Sequence, residues 1–165
     1  MIQGAAAPFS ILIMTNKKAK YYITTAIDYV NAPPHIGHAL EFIQADVLAR
    51  FQRTAGKEVF FLTGADEHGV KIARAAEEAK KTTKKFVDEN TEKIKKLVKV
   101  FNISNDEFIR TTDRKRHWPG AQKLWLKLAE AGDIYKKKYK GLYCAGHEAF
   151  VTDKDLINGV CAIHK

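Results

Sequence analysis

The feature that most constrains the fold is a change of hydrophobic period across a pair of prolines. "KYYITTAI" (residues 20–27) is β-branched and aromatic with no breaker, which predicts a buried strand. "DYVNAPP" follows as a turn, its prolines keeping the preceding residues extended. From Gly37 the period becomes helical: Leu40, Ile43, Val47 and Phe51 share one face, and Gly56 ends the run. A second strand is expected at "EVFFLT" (58–63), then a loop at "GADEHG" and a helix at "VKIARAAEEAK". Residues 84–101 read as a helix with Val87, Ile94, Leu97 and Phe101 inward, and "DEFIRTT" as a short strand. A further helix runs from Gly120 to Gly132, and from Asp133 the pattern turns hairpin-like through "DIYKKKYKGLYC" and "EAFVTDKDL". Strands alternating with helices predict an α/β fold with a parallel sheet and helical crossovers.

With 165 residues, the chain is long enough for one domain and the start of a second. No apolar run approaches the roughly 20 residues of a membrane helix, so no membrane partner is expected. "MIQGAAAPFSILI" lacks the basic start of a secretory signal. Met14 reads as an alternative start, so residues 1–13 are expected to be a mis-called extension and 1–19 to lie outside the fold. The formal net charge is +9, with lysines crowded between Lys80 and Lys99 and between Lys136 and Lys140. Solvated helix and hairpin faces are the plainer account of this charge, attraction to a polyanion such as RNA the sharper one, and charge alone does not choose between them.

"APPHIGHA" (residues 32–39) stands where the first strand gives way to the first helix. In an open α/β sheet, ligands bind beyond the carboxyl ends of strands, and a helix N-terminus offers free amides and a positive dipole end to phosphate. His35 and His38, three apart, face the same way and suit stabilisation of a phosphoryl group as its charge builds. Gly37 leaves room for a flat base against the backbone. The plainer alternative is an ordinary helix start with two surface histidines. A zinc-protease arrangement fits poorly, because it needs histidines at i and i+4 with a glutamate beside the first.

Cys144 and His147, then Cys161 and His164, form two pairs of metal-ligand type with the x-x spacing that lets both side chains of a pair point inward. Two cysteines in a chain of this length are no disulfide scaffold. A knuckle held by its own core, without metal, is the alternative.

"PPHIGH" between strand and helix is the HIGH signature of class I aminoacyl-tRNA synthetases. The stretch from "YYITTAIDYVNAPPHIGHALEF" through "FLTGADEHGVKI", "FIRTT" and "GDIYKKKYKGLYC" resembles the start of the methionyl-tRNA synthetases, over about 150 positions. "GADEHG" looks like the methionine members rather than those for isoleucine, leucine or valine. The resemblance implies the first half of a Rossmann-like catalytic domain of HUP type at 20–132. It implies the start of a zinc-knuckle connective domain at 133–165. It implies activation of methionine by ATP with Mg²⁺, followed by transfer to tRNA(Met) in the cytoplasm. His35, Ile36, Gly37, His38 and Glu41 would bind ATP, with the two histidines catalytic. Ile27, Tyr29, Asp66 and His68 would bind methionine, Asp66 accepting from its ammonium group. Zn²⁺ would sit on Cys144, His147, Cys161 and His164; the family usually has cysteine where His147 stands.

The second family signature, KMSKS, has no counterpart here, and "KKTTKK" (Lys80–Lys85) does not match it. The chain is therefore expected to be an N-terminal fragment with little or no aminoacylation activity alone, or one that works with a separately encoded C-terminal half. An unpaired sheet edge and exposed apolar faces are expected of it. A small HxGH nucleotidyltransferase and a non-catalytic zinc and RNA-binding module are the rival functions.

Overall fold

The computed structural model describes residues 18–164. The proposed extension at 1–13 lies outside the described residues. The first strand, β1 (Lys20–Thr24), is shorter than the uninterrupted 20–27 predicted. After it the chain leaves the ladder and returns as β2 (Asp28–Tyr29). Helix α1 (Ile36–Thr54) leads to the central strand β3 (Glu58–Asp66). Helices α2 (Val70–Glu78) and α3 (Thr83–Val100) then lead to β4 (Glu107–Arg110), and α4 (Trp118–Glu130) follows. The remainder forms two small hairpins, β5 (Leu142–Cys144) with β6 (Ala149–Val151), and β7 (Leu156–Ile157) with β8 (Val160–Cys161).

All pairings in the main sheet are parallel, as the alternation predicted. Leu62 pairs with Thr24 and with Glu107, and Ala65 with Asp28 and with Arg110. A residue has only two edges, so β1 and β2 run along one side of β3 and β4 along the other. Between Thr24 and Asp28, three residues oppose Thr63 and Gly64, a bulge of one residue. The amide of Ala26, freed from the ladder there, donates to Glu41 Oε1 at 2.6 Å.

Alternate residues of β3 enter the core: Phe61, Thr63 and Ala65 are fully buried, whereas Phe60 is exposed and stacks on exposed Tyr22. Phe61 and Ala65 pack with Phe42, Ala45 and Ala49 of α1 and with Val87, Ile94 and Val98 of α3. Asp46 ties α1 to the chain before β4: its Oδ1 accepts the Ser104 amide at 2.7 Å and its Oδ2 the Arg50 Nε at 2.7 Å.

Several elements depart from expectation. The face of α1 that carries Leu40, Ile43, Val47 and Phe51 is exposed; the buried face is Ala39, Phe42, Ala45, Asp46 and Ala49. The helix is apolar on both sides, and the smaller side chains allow the closer approach to the sheet. Phe101, predicted inward, caps α3 and is exposed. β3 continues through Gly64–Asp66, which "GADEHG" read as loop, because β2 and β4 both pair with it there. α4 begins at Trp118, since Pro119 is tolerated in a first turn. The expected hairpin at 133–144 has strand only from Leu142, and its partner is Ala149–Val151. Exposed apolar side chains, Leu124, Trp125 and Leu126 of α4 among them, are as expected of an incompletely covered sheet and helix layer.

The reversed facing of α1 is tested by urea unfolding. Phe42→Ala should cost about 3–5 kcal/mol by loss of a buried ring. Leu40→Ala should cost less than about 1 kcal/mol, although Leu40 leads the more regular apolar stripe.

Candidate active site and metal centre

The start of α1 meets the carboxyl ends of β2 and β3. His35 precedes the helix with extended backbone, and its Nδ1 accepts the Gly37 amide at 3.1 Å. In return, His38 Nδ1 accepts the His35 amide at 3.0 Å. This is a capping box built of imidazoles, in place of the usual hydroxyl and carboxyl side chains. The ring centroids are 3.9 Å apart. A neutral imidazole that accepts at Nδ1 carries its proton on Nε2. Each ring therefore presents an Nε2–H donor at the positive end of the helix. Gly37 is needed between them: a Cβ there would lie 2.9 Å from His35 Cε1. Ile36, the first helical residue, is exposed, and Glu41 is occupied with the Ala26 amide.

Beneath His38 lies Asp28, whose Oδ1 is 3.8 Å from His38 Nε2. Asp28 is only 6% exposed, and its Oδ2 has no hydrogen-bond partner. Burial pushes its carboxyl from the usual 3.8 up to about 6; the His38 ring pulls it down and the Glu41 carboxylate pushes it further up.

Tyr29 and Asp66 are partners across the β2–β3 ladder. The Tyr29 hydroxyl donates to Glu148 Oε1 at 2.9 Å, and burial together with this bond pushes the phenol up to about 12. Asp66 Oδ1 is reached only at long range, by the His68 amide at 3.4 Å and the Thr111 hydroxyl at 3.5 Å. Its carboxylate thus keeps most of its capacity to accept. Ile27 lies in the bulge and is 38% exposed.

His35, His38, Tyr29 and Asp66 therefore form a continuous series along adjoining elements, joined through Asp28. His68 stands apart from the histidine pair. It lines a cleft of about 510 Å³ with Glu67, Lys84, Asp88, Arg110 and Thr112. Glu67, in the same loop, is buried and holds Arg110 Nε at 2.5 Å, Thr91 Oγ1 at 2.7 Å and the Thr112 hydroxyl. Those bonds anchor the turn that follows Asp66.

The four Cys and His residues converge. One donor atom from each of Cys144, His147, Cys161 and His164 lies within 4.8 Å of the others. Cys161 Sγ is 3.5 Å from His147 Nδ1, Cys144 Sγ is 3.7 Å from His164 Nδ1, and Cys161 Sγ is 3.9 Å from His164 Nδ1. Tetrahedral zinc with ordinary Zn–S and Zn–N bonds requires S–N separations of about 3.5 Å, so the donors present fit that ion. The backbone amide of His164 also holds the Cys161 thiol below its ordinary pKa, toward the thiolate a metal needs.

Residues 21–165 match the family model for tRNA synthetases class I (M). The chain belongs to this family. The match runs through the Cys/His segment, which a small nucleotidyltransferase would not require. Among curated relatives of this synthetase family, the methionine–tRNA ligase of Clostridium perfringens is 51% identical over 144 residues, covering 87% of this chain and 22% of the relative. The methionine–tRNA ligase of Brucella suis is 45% identical over 138 residues, covering 84% of this chain and 27% of the relative. In three dimensions, methionyl-tRNA synthetase of Mycobacterium tuberculosis, solved in complex with methionyl-adenylate, superposes with a TM-score of 0.80 at 43% identity. That superposition covers 86% of this chain and 28% of the solved one. The chain thus spans about a quarter of the length of the synthetases it matches.

Two residues at this site escaped the sequence. Asp28 left a faint signal, an acid inside an otherwise apolar run; Glu148 left none, because Tyr29 is 119 positions away.

The raised Asp28 carboxyl has a signed consequence. The folded state binds this proton more tightly than the unfolded chain, so the stabilisation is complete below about pH 4 and lost as pH rises through about 6. Asp28→Asn cannot titrate. Urea unfolding at several pH values should show wild type losing roughly 2–3 kcal/mol relative to Asp28→Asn between about pH 4 and pH 7.

Proposed function

We propose that this chain forms the nucleotide- and methionine-binding part of a methionine–tRNA ligase, and that the start of α1 is where methionine is activated. A methionine carboxylate oxygen attacks the α-phosphorus of ATP. A new P–O bond forms, the bond to the bridging oxygen breaks, and pyrophosphate leaves with that electron pair. Methionyl-adenylate then passes its acyl group to a hydroxyl of tRNA(Met), releasing AMP.

His35 and His38 donate through Nε2 to the non-bridging α-phosphoryl oxygens, which gain charge as the bond forms. The free amide at Ile36 and the start of α1 add the positive end of the helix dipole. Glu41 holds the bulged strand against this end and, with Ile36 and Gly37, borders the nucleotide. Asp66 accepts from the α-ammonium of methionine, Tyr29 and Ile27 wall the thioether, and His68 closes the turn beside them. Mg²⁺ accompanies the triphosphate as part of the substrate. Zn²⁺, held by Cys144, His147, Cys161 and His164, is structural and closes the two small hairpins upon each other. Residues 20–132 are the catalytic part and 133–165 the start of the connective part. The net charge of +9 favours approach of a polyanion, in keeping with a tRNA partner in the cytoplasm. No helix among the described residues is long and apolar enough to cross a membrane.

The observation that supports this function is the bonding of His35 and His38 to the helix start, which engages both Nδ1 atoms with the backbone and leaves the Nε2 atoms to donate elsewhere. Calorimetric titration with the methionyl-adenylate analogue methionyl-sulfamoyl adenosine tests it. Saturable binding is expected, weakened about tenfold or more by His38→Ala and by Asp66→Ala. A folded chain that binds no analogue, or variants that bind as wild type does, would contradict it.

A further inference from the structure

Glu148 belongs to the four-residue turn that joins β5 to β6, and it directly follows His147 of the Cys/His quartet. Its Oε1 accepts two hydrogen bonds at once, from the Tyr29 hydroxyl at 2.9 Å and from the Lys71 amide at 3.1 Å. Lys71 is the second residue of α2, so the carboxylate also meets the positive end of that helix. The turn is not relaxed: Glu148 has φ +53°, in the left-handed region that few residues other than glycine adopt. The far side is shaped to receive it. Gly69, which caps α2 with φ +134°, could bear no side chain, because a Cβ there would lie 1.9 Å from Tyr29 Oη and 3.2 Å from Glu148 Oε1. A strained donor-seeking turn and a glycine-cleared receptor thus meet at one oxygen atom.

We propose that Glu148 is a positioning residue that couples the Cys/His quartet to the wall of the amino-acid pocket, fixing the Tyr29 hydroxyl and the first turn of α2 when a metal orders the turn that carries His147. This rests on the zinc and methionine assignments above and adds to them a link between the two. Tyr29 is the ladder partner of Asp66, so the element Glu148 holds is the one that stands beside the proposed ammonium acceptor. With the quartet unligated, the turn is held by the β5–β6 ladder at Cys144 and Ala149, and the Glu148 carboxylate by these two hydrogen bonds. With it ligated, His147 is fixed and the residue after it is fixed too.

The test uses nuclear magnetic resonance on the whole chain and needs no turnover. Zinc uptake is measured by colorimetric stoichiometry, while amide exchange of Lys71 and the ring resonances of Tyr29 are followed before and after one equivalent of Zn²⁺. In wild type, zinc should slow Lys71 exchange about tenfold and shift the Tyr29 ring. In Glu148→Ala, zinc should bind with the same stoichiometry and leave both signals unchanged. Glu148→Gln, which keeps a carbonyl acceptor, should restore most of the response. Zinc uptake in wild type with no change at Lys71 or Tyr29, or a Glu148→Ala response equal to wild type, overturns the coupling alone. Failure to take up zinc overturns the metal assignment, and the coupling with it.

Discussion

Everything at this site depends on how the first turn of α1 satisfies its own backbone. A helix start has amides with no intrahelical acceptor, and most chains meet them with a serine, threonine or aspartate. Here two imidazoles meet them, each through Nδ1, and the exchange is mutual. The choice has a chemical consequence that a hydroxyl would not have. An imidazole has a second nitrogen, and its proton state is dictated by what the first nitrogen does. The cap therefore leaves each ring with an Nε2–H donor as a by-product of starting the helix. Asp28, buried with an unpartnered oxygen beneath His38, is costly to keep charged, which is characteristic of groups retained at functional sites rather than for stability.

The bulge at residues 25–27 explains how strand and helix are brought to the same place. An unbroken strand would have kept Ala26 in the ladder. With one residue too many, its amide turns to Glu41 on α1, and β2 rejoins the sheet one step out of phase with β1. That new phase is what sets Tyr29 opposite Asp66. The same few residues thus brace the helix proposed to offer donors to phosphate and set the pair proposed to receive the amino acid. Asp46 at mid-helix accepts from Ser104, and Arg53 in the last turn donates to Ser104 and Asp106, so α1 is held along its length rather than by its apolar face alone.

Much of this was legible in the sequence, for physical reasons that differ from residue to residue. The parallel order followed from strands alternating with helices, and the histidine pair from its place between a strand and a helical period. The convergence of Cys144, His147, Cys161 and His164 followed from two pairs of x-x spacing. The facing of α1 did not follow, because the helix carries two apolar stripes, and Leu40, Ile43, Val47 and Phe51 form the more regular one. Periodicity says that a face exists; it does not say which face meets the sheet. The extent of β3 was hidden by its glycine and alanine, which pair well only because strands flank them on both sides. Glu148 was invisible altogether, since its role is set by a contact across most of the chain and by the backbone of a turn.

The most direct measurement is the tautomeric state of the two rings, read from long-range ¹H–¹⁵N correlation spectra at about pH 8.5, above the ordinary histidine range. His35 and His38 should both be Nε2–H, with protonated Nε2 and pyridine-like Nδ1. A dominant Nδ1–H form at either ring would mean that it does not accept from the helix start, and that the donors required at the phosphoryl group are not the ones this structure provides.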